Sequence, residues 1–157
     1  MVEVRRVDSE VLRCVRHKVL WPHLANSKQA VIDVDNSQSA IHLAAFFKGN
    51  VVGVASLFSQ NCERFPGLFT SLKVRRLRAM GVLDNMRGGG VGTLIIQKAI
   101  EELKGAGVDV VWCDAREAAW DFYERQGFKF GGQKNGENLD AYHVPNVGLH
   151  KIMFKLL

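Results

Sequence analysis

The stretch that decides the fold is Val82-Leu83-Asp84-Asn85-Met86-Arg87-Gly88-Gly89-Gly90-Val91-Gly92-Thr93-Leu94. An apolar run precedes it and a helical pattern follows it, so the sequence predicts a strand, a glycine-rich turn and the start of a helix. The amide groups at a helix N-terminus and the helix dipole together favour a bound anion. The glycines allow a backbone with positive φ to approach a ligand closely, and Arg87 adds a fixed positive charge. The stretch therefore predicts a phosphate-binding turn.

Other interpretations of this turn stay open at this point. A nucleotide P-loop needs Gly-Lys-Ser/Thr at its end, but Gly92-Thr93-Leu94 contains no lysine. A dinucleotide-binding fingerprint needs a final glycine where Thr93 stands. Asp114 falls near the distance expected of its acidic residue, but the preceding chain is too varied for a first βαβ unit. The turn is also compatible with a tight loop that closes onto a packed helix.

Length and composition bound the class of protein. The chain has 157 residues, of which 47% are hydrophobic, so we expect one folded domain over residues 1–157. No apolar run approaches the roughly 18 residues of a membrane-spanning helix. The charged N-terminus lacks the apolar core of a signal peptide. These features predict a cytoplasmic protein without a membrane partner.

Cysteine spacing and net charge limit the ligands to be expected. Cys14, Cys62 and Cys113 are odd in number and form neither a CxxC pair nor a Cys/His metal pattern, so we expect no disulfide and no metal. The formal net charge of +5 suits an anionic ligand. Because no aromatic-interleaved basic motif of the RNA-binding kind is present, no nucleic-acid partner is expected.

Hydrophobic periodicity predicts alternating strands and helices. Strands are predicted over residues 2–7, 40–48, 51–58, 72–83, 108–113, 128–130, 142–144 and 150–157. Helices are predicted from Asp8 or Ser9 to Pro22, over 93–104 and over 117–125, with a short one at 27–31. The fourth and fifth strands should form a right-handed parallel crossover. Residues 59–71 are expected to be loop and 131–137 a turn.

The same patterns assign faces to individual residues. Alternation along the fourth strand places Arg76 and Arg78 on one face, followed by Met80 and Val82. Gly53 inside a strand indicates a bulge or a close backbone contact. The residues that the long helix should turn towards the core are Leu94, Ile95, Ala99, Ile100 and Leu103.

Two motifs stand in the order and at the separation of one known family. The run Arg87-Gly88-Gly89-Gly90-Val91-Gly92 is similar to the Arg/Gln-x-x-Gly-x-Gly/Ala acyl-CoA motif of the GCN5-related N-acetyltransferase (GNAT) superfamily. The run Ala119-Trp120-Asp121-Phe122-Tyr123-Glu124-Arg125-Gln126-Gly127-Phe128 resembles its Ala-x-x-Phe-Tyr-x-x-x-Gly-Phe motif. The resemblance extends from about Leu72 to Phe130, and residues 145–153 look like uncharacterised bacterial members.

The resemblance implies a fold and a cosubstrate. The fold is α/β (α+β), with a mixed, mostly antiparallel sheet of six to seven strands, about four flanking helices, and two central parallel strands splayed for acyl-CoA. Acetyl-CoA would place its pantetheine arm against the backbone near Met80 and Val82, and its pyrophosphate on residues 87–93. The cofactor-binding residues so implied are Met80, Gly81, Val82, Leu83, Arg87, Gly88, Gly89, Gly90, Val91, Gly92, Thr93, Arg116, Phe122 and Tyr123.

The resemblance also implies direct transfer of the acyl group to a primary amine. The amine must lose a proton before it attacks, and a strand N–H would stabilise the oxyanion. Tyr123 aligns with the tyrosine that protonates the leaving thiolate, and a phenolic pKa of about 10 keeps it protonated at pH 7. Phe122 would then be the core aromatic. The candidates for the general base are Glu63, His42, His143 and His150.

Two positions depart from the family pattern. Asp84 stands where many members have proline, which should alter only the turn. Arg116 stands where many members have an asparagine that contacts the cofactor. We expect this arginine to hold a phosphate or the acyl-binding backbone instead.

The predicted function is an acyl-CoA-dependent N-acyltransferase with acetyl-CoA as donor. One alternative is a non-catalytic acyl-CoA-binding or regulatory domain on the same fold. Another is a nucleic-acid-binding module that uses the basic run from Lys73 to Arg78. The acceptor would be an amine-bearing small molecule or peptide, bound near residues 14–37 and 59–71. Dimers are common in the family, so a homodimer is one option for the assembly.

Overall fold

The computed structural model describes residues 1–134, 137–138 and 140–157. The chain forms two compact units that are interleaved in sequence. The first comprises Met1–Ser59 and Leu77–Glu102, and the second comprises Gln60–Arg76 and Leu103–Leu157. The expectation of a single domain stays a prediction, and each unit is described in turn.

The first unit is built on an antiparallel ladder of β1 (Glu3–Val7), β2 (Ile41–Phe47) and β3 (Asn50–Phe58). The turn between β2 and β3 places Lys48 and Gly49 at φ of 51° and 78°, as a two-residue hairpin with the twist of its strands requires. The pairing register shifts between Ala45 and Phe46. The strands predicted over 40–48 and 51–58 therefore pair as a hairpin, with its turn at Lys48 and Gly49, and the irregularity indicated by Gly53 is confirmed.

Gly53 also makes the close contact that the sequence indicated. A Cβ built on Gly53 would lie 2.8 Å from Cδ1 of Ile95 and 3.1 Å from Cγ1 of Val91. A side chain at this position would have to displace Ile95 and Val91 of the helix that begins at Val91, which accounts for glycine here.

The helical segment α1 has three successive parts: a 3₁₀ turn at Ser9–Leu12, an α-helical turn at Arg13–Val15 and a π-helical turn at Arg16–Leu20. Asp8 occupies the N-cap position, but its side chain makes no capping hydrogen bond. Leu12 and Val15 pack with Ala44 and Val54 in the core of the first unit. The predicted helix is thus present, but its hydrogen-bonding pattern changes from 3₁₀ to α to π along its length.

The long helix α2 spans Val91–Gly105 and begins two residues before its predicted start. It buries Val91, Ile95, Ile96, Ala99 and Leu103, whereas Leu94 is 39% exposed and Ile100 is half-buried. The prediction that Leu94 faces the core is wrong: Leu94 and Ile96 flank the buried Ile95 on opposite sides of the helix, and packing covers the side of Ile96. Gly107 has φ 71° and the amide of Val108 donates to the carbonyl of Leu103, which ends the helix as predicted.

The second unit pairs strands around β5. Its strands are β5 (Val110–Arg116), β6 (Lys129–Phe130), β9 (Tyr142–Val144) and β10 (Gly148–Leu156), together with the first three residues of β4 (Val74–Val82). β4 runs parallel to β5 from Val74↔Val110 to Arg76↔Trp112, and β10 is antiparallel to β5, β6 and β9. The predicted parallel pair is confirmed.

Short elements complete the second unit. Helix α3 (Trp120–Arg125) follows a 3₁₀ turn at Glu117–Ala119 and ends before Gly127, which has φ 88°. The strands β7 (Gln133–Lys134) and β8 (Glu137–Asn138) pair as a separate antiparallel ladder. The turn predicted over 131–137 includes residues 135 and 136, which lie outside the described residues.

The predicted fold class is confirmed. In the part of the chain that the structure describes, the order of paired strands is β1-β2-β3-β4 on one side of β4 and β4-β5-β10-β6 on the other, with β9 on β10. These eight strands form a mixed, mostly antiparallel arrangement with three helices. The prediction of six to seven strands and four helices differs only in the short elements, whose few residues carry little periodicity.

Candidate active site

The glycine-rich turn, which belongs to the first unit, adopts the backbone that its composition predicts. A 3₁₀ turn at Asp84–Met86 leads into it, Gly88 and Gly90 have φ of 78° and 84°, and α2 begins directly afterwards. No heavy atom lies within 4 Å of a Cβ built on Gly88 or Gly90. The turn therefore presents open backbone at the N-terminus of a long helix, which is an arrangement that binds phosphate groups.

Arg87 lies beside this turn with 55% of its side chain exposed. Its Nη2 is 3.2 Å from Oδ1 of Asp84, and its Nε donates to the carbonyl of Val82 at 3.4 Å. Because an exposed ion pair contributes little to stability, the guanidinium can exchange the Asp84 carboxylate for an anionic ligand. The aspartate that departs from the family pattern thus supplies a partner for Arg87.

The strand that leads into the turn is irregular. Ala79 has φ 52°, a left-handed conformation that alanine rarely adopts in a strand. The buried residues of β4 are Val74, Leu77 and Gly81, which are three and four positions apart. The strict alternation predicted for Arg76, Arg78, Met80 and Val82 is therefore not kept: the spacing is irregular already between Val74 and Leu77, and the left-handed backbone at Ala79 changes the faces of the residues that follow.

The second unit holds the other predicted site residues. Arg116 ends β5 opposite His150 of β10 and precedes the 3₁₀ turn at Glu117–Ala119. Trp120 Nε1 donates to the carbonyl of Ala115 at 2.6 Å, which fastens the start of α3 to the end of β5. The structure thus groups Met80–Thr93 in the first unit, and Arg116, Phe122 and Tyr123 in the second.

Helix α3 turns Tyr123 into the core of the second unit. Tyr123 is 8% exposed, and its ring centroid lies 5.2 Å from those of both Phe122 and Phe128. Phe122 is only half-buried. The prediction that Phe122 would be the core aromatic is wrong, because the helix presents the next residue to the interior.

The hydroxyl of Tyr123 is hydrogen-bonded to the thiol of Cys113. Burial raises the pKa of the Tyr123 phenol well above its ordinary value, and the neighbouring Cys113 raises it further. Burial likewise raises the pKa of Cys113. Both groups are therefore protonated at neutral pH, and the phenol can act as a proton donor.

Two of the four candidates for the general base are buried. His42 is 6% exposed, with Nδ1 2.7 Å from Oγ of Ser56 and Nε2 2.8 Å from the carbonyl oxygen of Asp35. Both of its ring nitrogens are thus used inside the first unit. His150, in the second unit, has Nδ1 2.8 Å from the carbonyl oxygen of Gly148.

The other two candidates are exposed in the second unit. Glu63 lies in the loop between β3 and β4 and lines a cavity of about 500 Å³. The cavity is formed by residues from Asn61 to Val74, including the buried Cys62 and Phe69. His143 lies on β9. Among the four candidates for the general base, Glu63 is the one that is both exposed and at the wall of this cavity.

The second unit contains a polar cluster that the sequence patterns did not predict. Nη2 of Arg76 lies 2.5 Å from Oδ2 of Asp114, and the hydroxyl of Tyr142 donates to the same carboxylate. The guanidinium of Arg64 lies 3.5 Å from the centroid of the Tyr142 ring. Arg76 and Asp114 lie on the two strands that the sequence predicts to be parallel neighbours. That prediction is the one sequence signal that suggests their pairing.

A second cluster lies in the core of the first unit. Arg16 is fully buried and donates to the Asp35 carboxylate through both Nη atoms, at 2.7 and 2.9 Å. Nη2 also donates to Oγ of Ser56 at 2.9 Å. Arg16 follows Val15 on an otherwise apolar face of α1, and that position is the signal that could have revealed a buried arginine.

Comparison with known proteins assigns the family. The model of the acetyltransferase (GNAT) family matches residues 8–128. The uncharacterized N-acetyltransferase YitI of Bacillus subtilis (strain 168) is 31% identical over 157 residues, which cover 100% of this chain and 97% of that protein. The chain therefore belongs to the acetyltransferase (GNAT) family and is an N-acetyltransferase.

Solved structures share the fold at low sequence identity. Escherichia coli ElaA has a TM-score of 0.73 at 17% identity, with 99% of each chain covered. An aminoglycoside 6'-N-acetyltransferase in complex with coenzyme A has a TM-score of 0.72 at 17% identity, with 98% of this chain and 96% of that chain covered. These likenesses confirm the predicted GNAT fold.

No described helix is both long and apolar enough to cross a membrane. Among the same residues, no group of three or more His, Cys, Asp or Glu side chains is arranged to hold a metal ion.

Proposed function

We propose that this N-acetyltransferase takes its acetyl group from acetyl-CoA and passes it to a primary amine of a small molecule or peptide. The observation that carries the proposal is the open backbone at Gly88 and Gly90, ahead of α2. When bound, acetyl-CoA supplies the thioester from which the acetyl group is transferred. The enzyme supplies binding, orientation and proton transfer.

The residues of the first unit fit the phosphate end of this cosubstrate. Positive φ at Gly88 and Gly90 aims backbone groups at a ligand, and the N-terminus of α2 favours its negative charge. Arg87 is close enough to the turn to pair with a phosphate. The backbone from Met80 to Leu83 would hold the pantetheine arm. This donor set matches a pyrophosphate better than a neutral ligand.

In the second unit, Tyr123 would hold the proton that the leaving thiolate needs. Its buried environment keeps the phenol protonated, and its hydrogen bond to Cys113 fixes the direction of the hydroxyl. Arg116 and Phe122 would contact the cosubstrate from the same unit. The resemblance of residues 119–128 to the family motif and the protonated phenol support this role together.

The acceptor pocket is proposed at the cavity lined by Glu63. A carboxylate at an open cavity can bind an ammonium group and accept a proton from it, directly or through water. The cavity has both polar and apolar walls, as a pocket for a small amine or a peptide terminus would. A cytoplasmic location and a homodimer remain predictions that accompany this proposal.

The test is an acceptor panel assayed with acetyl-CoA. Primary amines and short peptides with free N-termini would be incubated with the enzyme, and thiol release would be followed with a disulfide dye while mass spectrometry detects the acetylated acceptor. We expect stoichiometric thiol and product for at least one amine class. Binding of acetyl-CoA without any acetylated product would favour the non-catalytic binding domain, and failure to bind CoA would overturn the proposal.

A further inference from the structure

Gly81 makes a close contact with the end of α1 inside the first unit. A Cβ built on Gly81 would lie 3.1 Å from Cγ1 of Val19 and 3.2 Å from Cδ2 of Leu20. Both distances are shorter than ordinary van der Waals contact. Gly81 is not among the residues with positive φ, so a side chain here would be limited by the space that Val19 and Leu20 leave and not by backbone conformation.

The two side chains are held in place by an anchored turn. Val19 and Leu20 belong to the π-helical turn Arg16–Leu20, which the amide of Trp21 closes by donating to the carbonyl of Arg16 at 3.0 Å. Arg16 itself is locked by its bidentate pair with Asp35. Turns of this kind are rare and occur often at functional sites. The contact with Gly81 is therefore a fixed feature.

Part of this apolar surface stays accessible. Val19 and Leu20 are each half-buried, although residues nearby on the same segment, such as Leu12 and Val15, are fully buried. A ligand that lies along β4 near Gly81 would thus meet two branched aliphatic side chains. Such a surface can receive a short alkyl group and reject a longer one.

We propose that Leu20, supported by Val19, limits the acyl chain of the thioester to acetyl size. This inference rests on the proposed function, in which the phosphate end of the cosubstrate lies on the glycine-rich turn. In that arrangement the pantetheine arm would lie along β4, and its thioester end would come near the Ala79–Gly81 segment. Leu20 is thereby a specificity-determining residue.

The test measures binding in the absence of any acceptor. Titration calorimetry would give the Kd of CoA, acetyl-CoA and butyryl-CoA for the wild-type protein and for Leu20→Ala. The wild type should bind acetyl-CoA at least about tenfold more tightly than butyryl-CoA, since one or two methylenes change pocket binding by roughly that factor or more. Leu20→Ala should erase or invert this ratio and leave the Kd of CoA within about twofold of wild type.

Three further variants serve as controls. Val11→Ala removes an exposed aliphatic side chain from the same helical segment and should leave all three Kd values unchanged. Gly81→Ala adds a methyl group to the contact and should weaken acetyl-CoA binding about tenfold. The double variant Gly81→Ala, Leu20→Ala should recover most of that loss, because the second substitution removes the clashing atoms.

The outcomes separate this inference from the proposed function. If the wild type binds none of the three thiols and thioesters, the proposed function fails. If the wild type binds CoA and acetyl-CoA but does not discriminate against butyryl-CoA, or if Leu20→Ala leaves the ratio unchanged, only the role of Leu20 is overturned. Thermal unfolding of each variant would confirm that it is folded at the assay temperature.

Discussion

Tyr123 and Cys113 share a hydrogen bond inside the second unit, and each is less than a tenth exposed. The pair joins the second family motif on α3 to the buried strand β5. Because burial raises the pKa of both groups, neither loses its proton near neutral pH. Tyr123 therefore carries its proton at neutral pH, as the proposed proton donor must.

Substitution of Tyr123 by Phe tests this role. We expect kcat to fall by roughly 10²- to 10⁴-fold, the usual contribution of a positioned acid, while the Kd of acetyl-CoA stays within about twofold. Cys113→Ala keeps the hydroxyl and should lose less than about tenfold in kcat. Steady-state kinetics and calorimetry supply both quantities. Unchanged turnover in Tyr123→Phe would remove Tyr123 from the mechanism.

The same pair predicts how stability depends on alkaline pH. A folded-state pKa above the unfolded value means that the folded protein keeps its proton longer, so stability is constant below the ordinary pKa and falls as pH rises above it. For Cys113 this ordinary value is 9.0 and for Tyr123 it is 10.0. Each group should cost up to about 1.4 kcal/mol of unfolding free energy per pH unit in that range.

Urea denaturation at pH 8, 9, 10 and 10.5 would measure this loss. Cys113→Ala should flatten the curve between pH 9 and 10, while the buried Cys62, whose pKa burial also raises, accounts for the remaining slope there. Cys14 is exposed, so Cys14→Ala serves as the control and should leave the curve unchanged. Equal curves for Cys113→Ala and wild type would show that the Cys113 thiol titrates normally.

Arg16 and Asp35 should be the most sensitive polar pair in the first unit. Removing one partner of a buried ion pair leaves the other charge uncompensated, so Arg16→Met should lower the unfolding free energy by about 3–5 kcal/mol. Arg87→Met, which breaks an exposed ion pair in the same unit, should change it by less than about 0.5 kcal/mol. Urea denaturation at pH 7 compares the two variants. Equal small losses would show that the Arg16 pair contributes no more than a surface contact.

The Arg16–Asp35 pair also makes the stability of the fold depend on pH in the acid range. Burial alone would raise the pKa of Asp35, but hydrogen bonds from Arg16 and from the amide of Ile32 outweigh it, so that pKa lies below 3.8. A depressed folded pKa gives stability that is present above the unfolded value and lost as pH falls below it. Asp35→Asn should therefore flatten the stability curve below about pH 4, as measured by acid titration of far-UV circular dichroism.

The glycine-rich turn and its flanking elements could be predicted because they depend on local rules. Positive φ at Gly88 and Gly90 and the parallel pairing of β4 with β5 follow from glycine spacing and from apolar runs joined by a helix. Residues that depend on tertiary contacts could not be predicted in the same way. Arg16 begins the π-helical turn Arg16–Leu20 and is held by a buried carboxylate, and that carboxylate comes from a loop with no periodicity.

The two wrong predictions about which helix residue faces the core have the same origin. Leu94 and Phe122 were each expected in a core, yet Ile96 and Tyr123 are the buried residues. Adjacent residues of a helix differ by about 100° in direction, so a run of consecutive apolar residues does not show which of them tertiary packing will bury. The family motif that contains Phe122 and Tyr123 is defined by residue identity, so it can be recognised without knowing which of its residues is buried.

The proposed function requires the glycine-rich turn to bind CoA. Two glycines, one inside the turn and one outside it, allow a matched test of this role. Gly90 and Gly107 have φ of 84° and 71°, and neither has a heavy atom within 4 Å of an added Cβ. Alanine at either position therefore imposes a similar backbone strain of about 1 kcal/mol without a clash. Only Gly90 lies in the proposed site, whereas Gly107 ends α2.

The deciding measurement is the Kd of CoA, by calorimetry, for wild type, Gly90→Ala and Gly107→Ala. We predict that the wild type binds CoA, that Gly90→Ala weakens binding by about tenfold or more because the backbone can no longer shape itself to the pyrophosphate, and that Gly107→Ala stays within about twofold. Absence of CoA binding in the wild type, or equal losses in the two variants, would contradict the assignment of this turn.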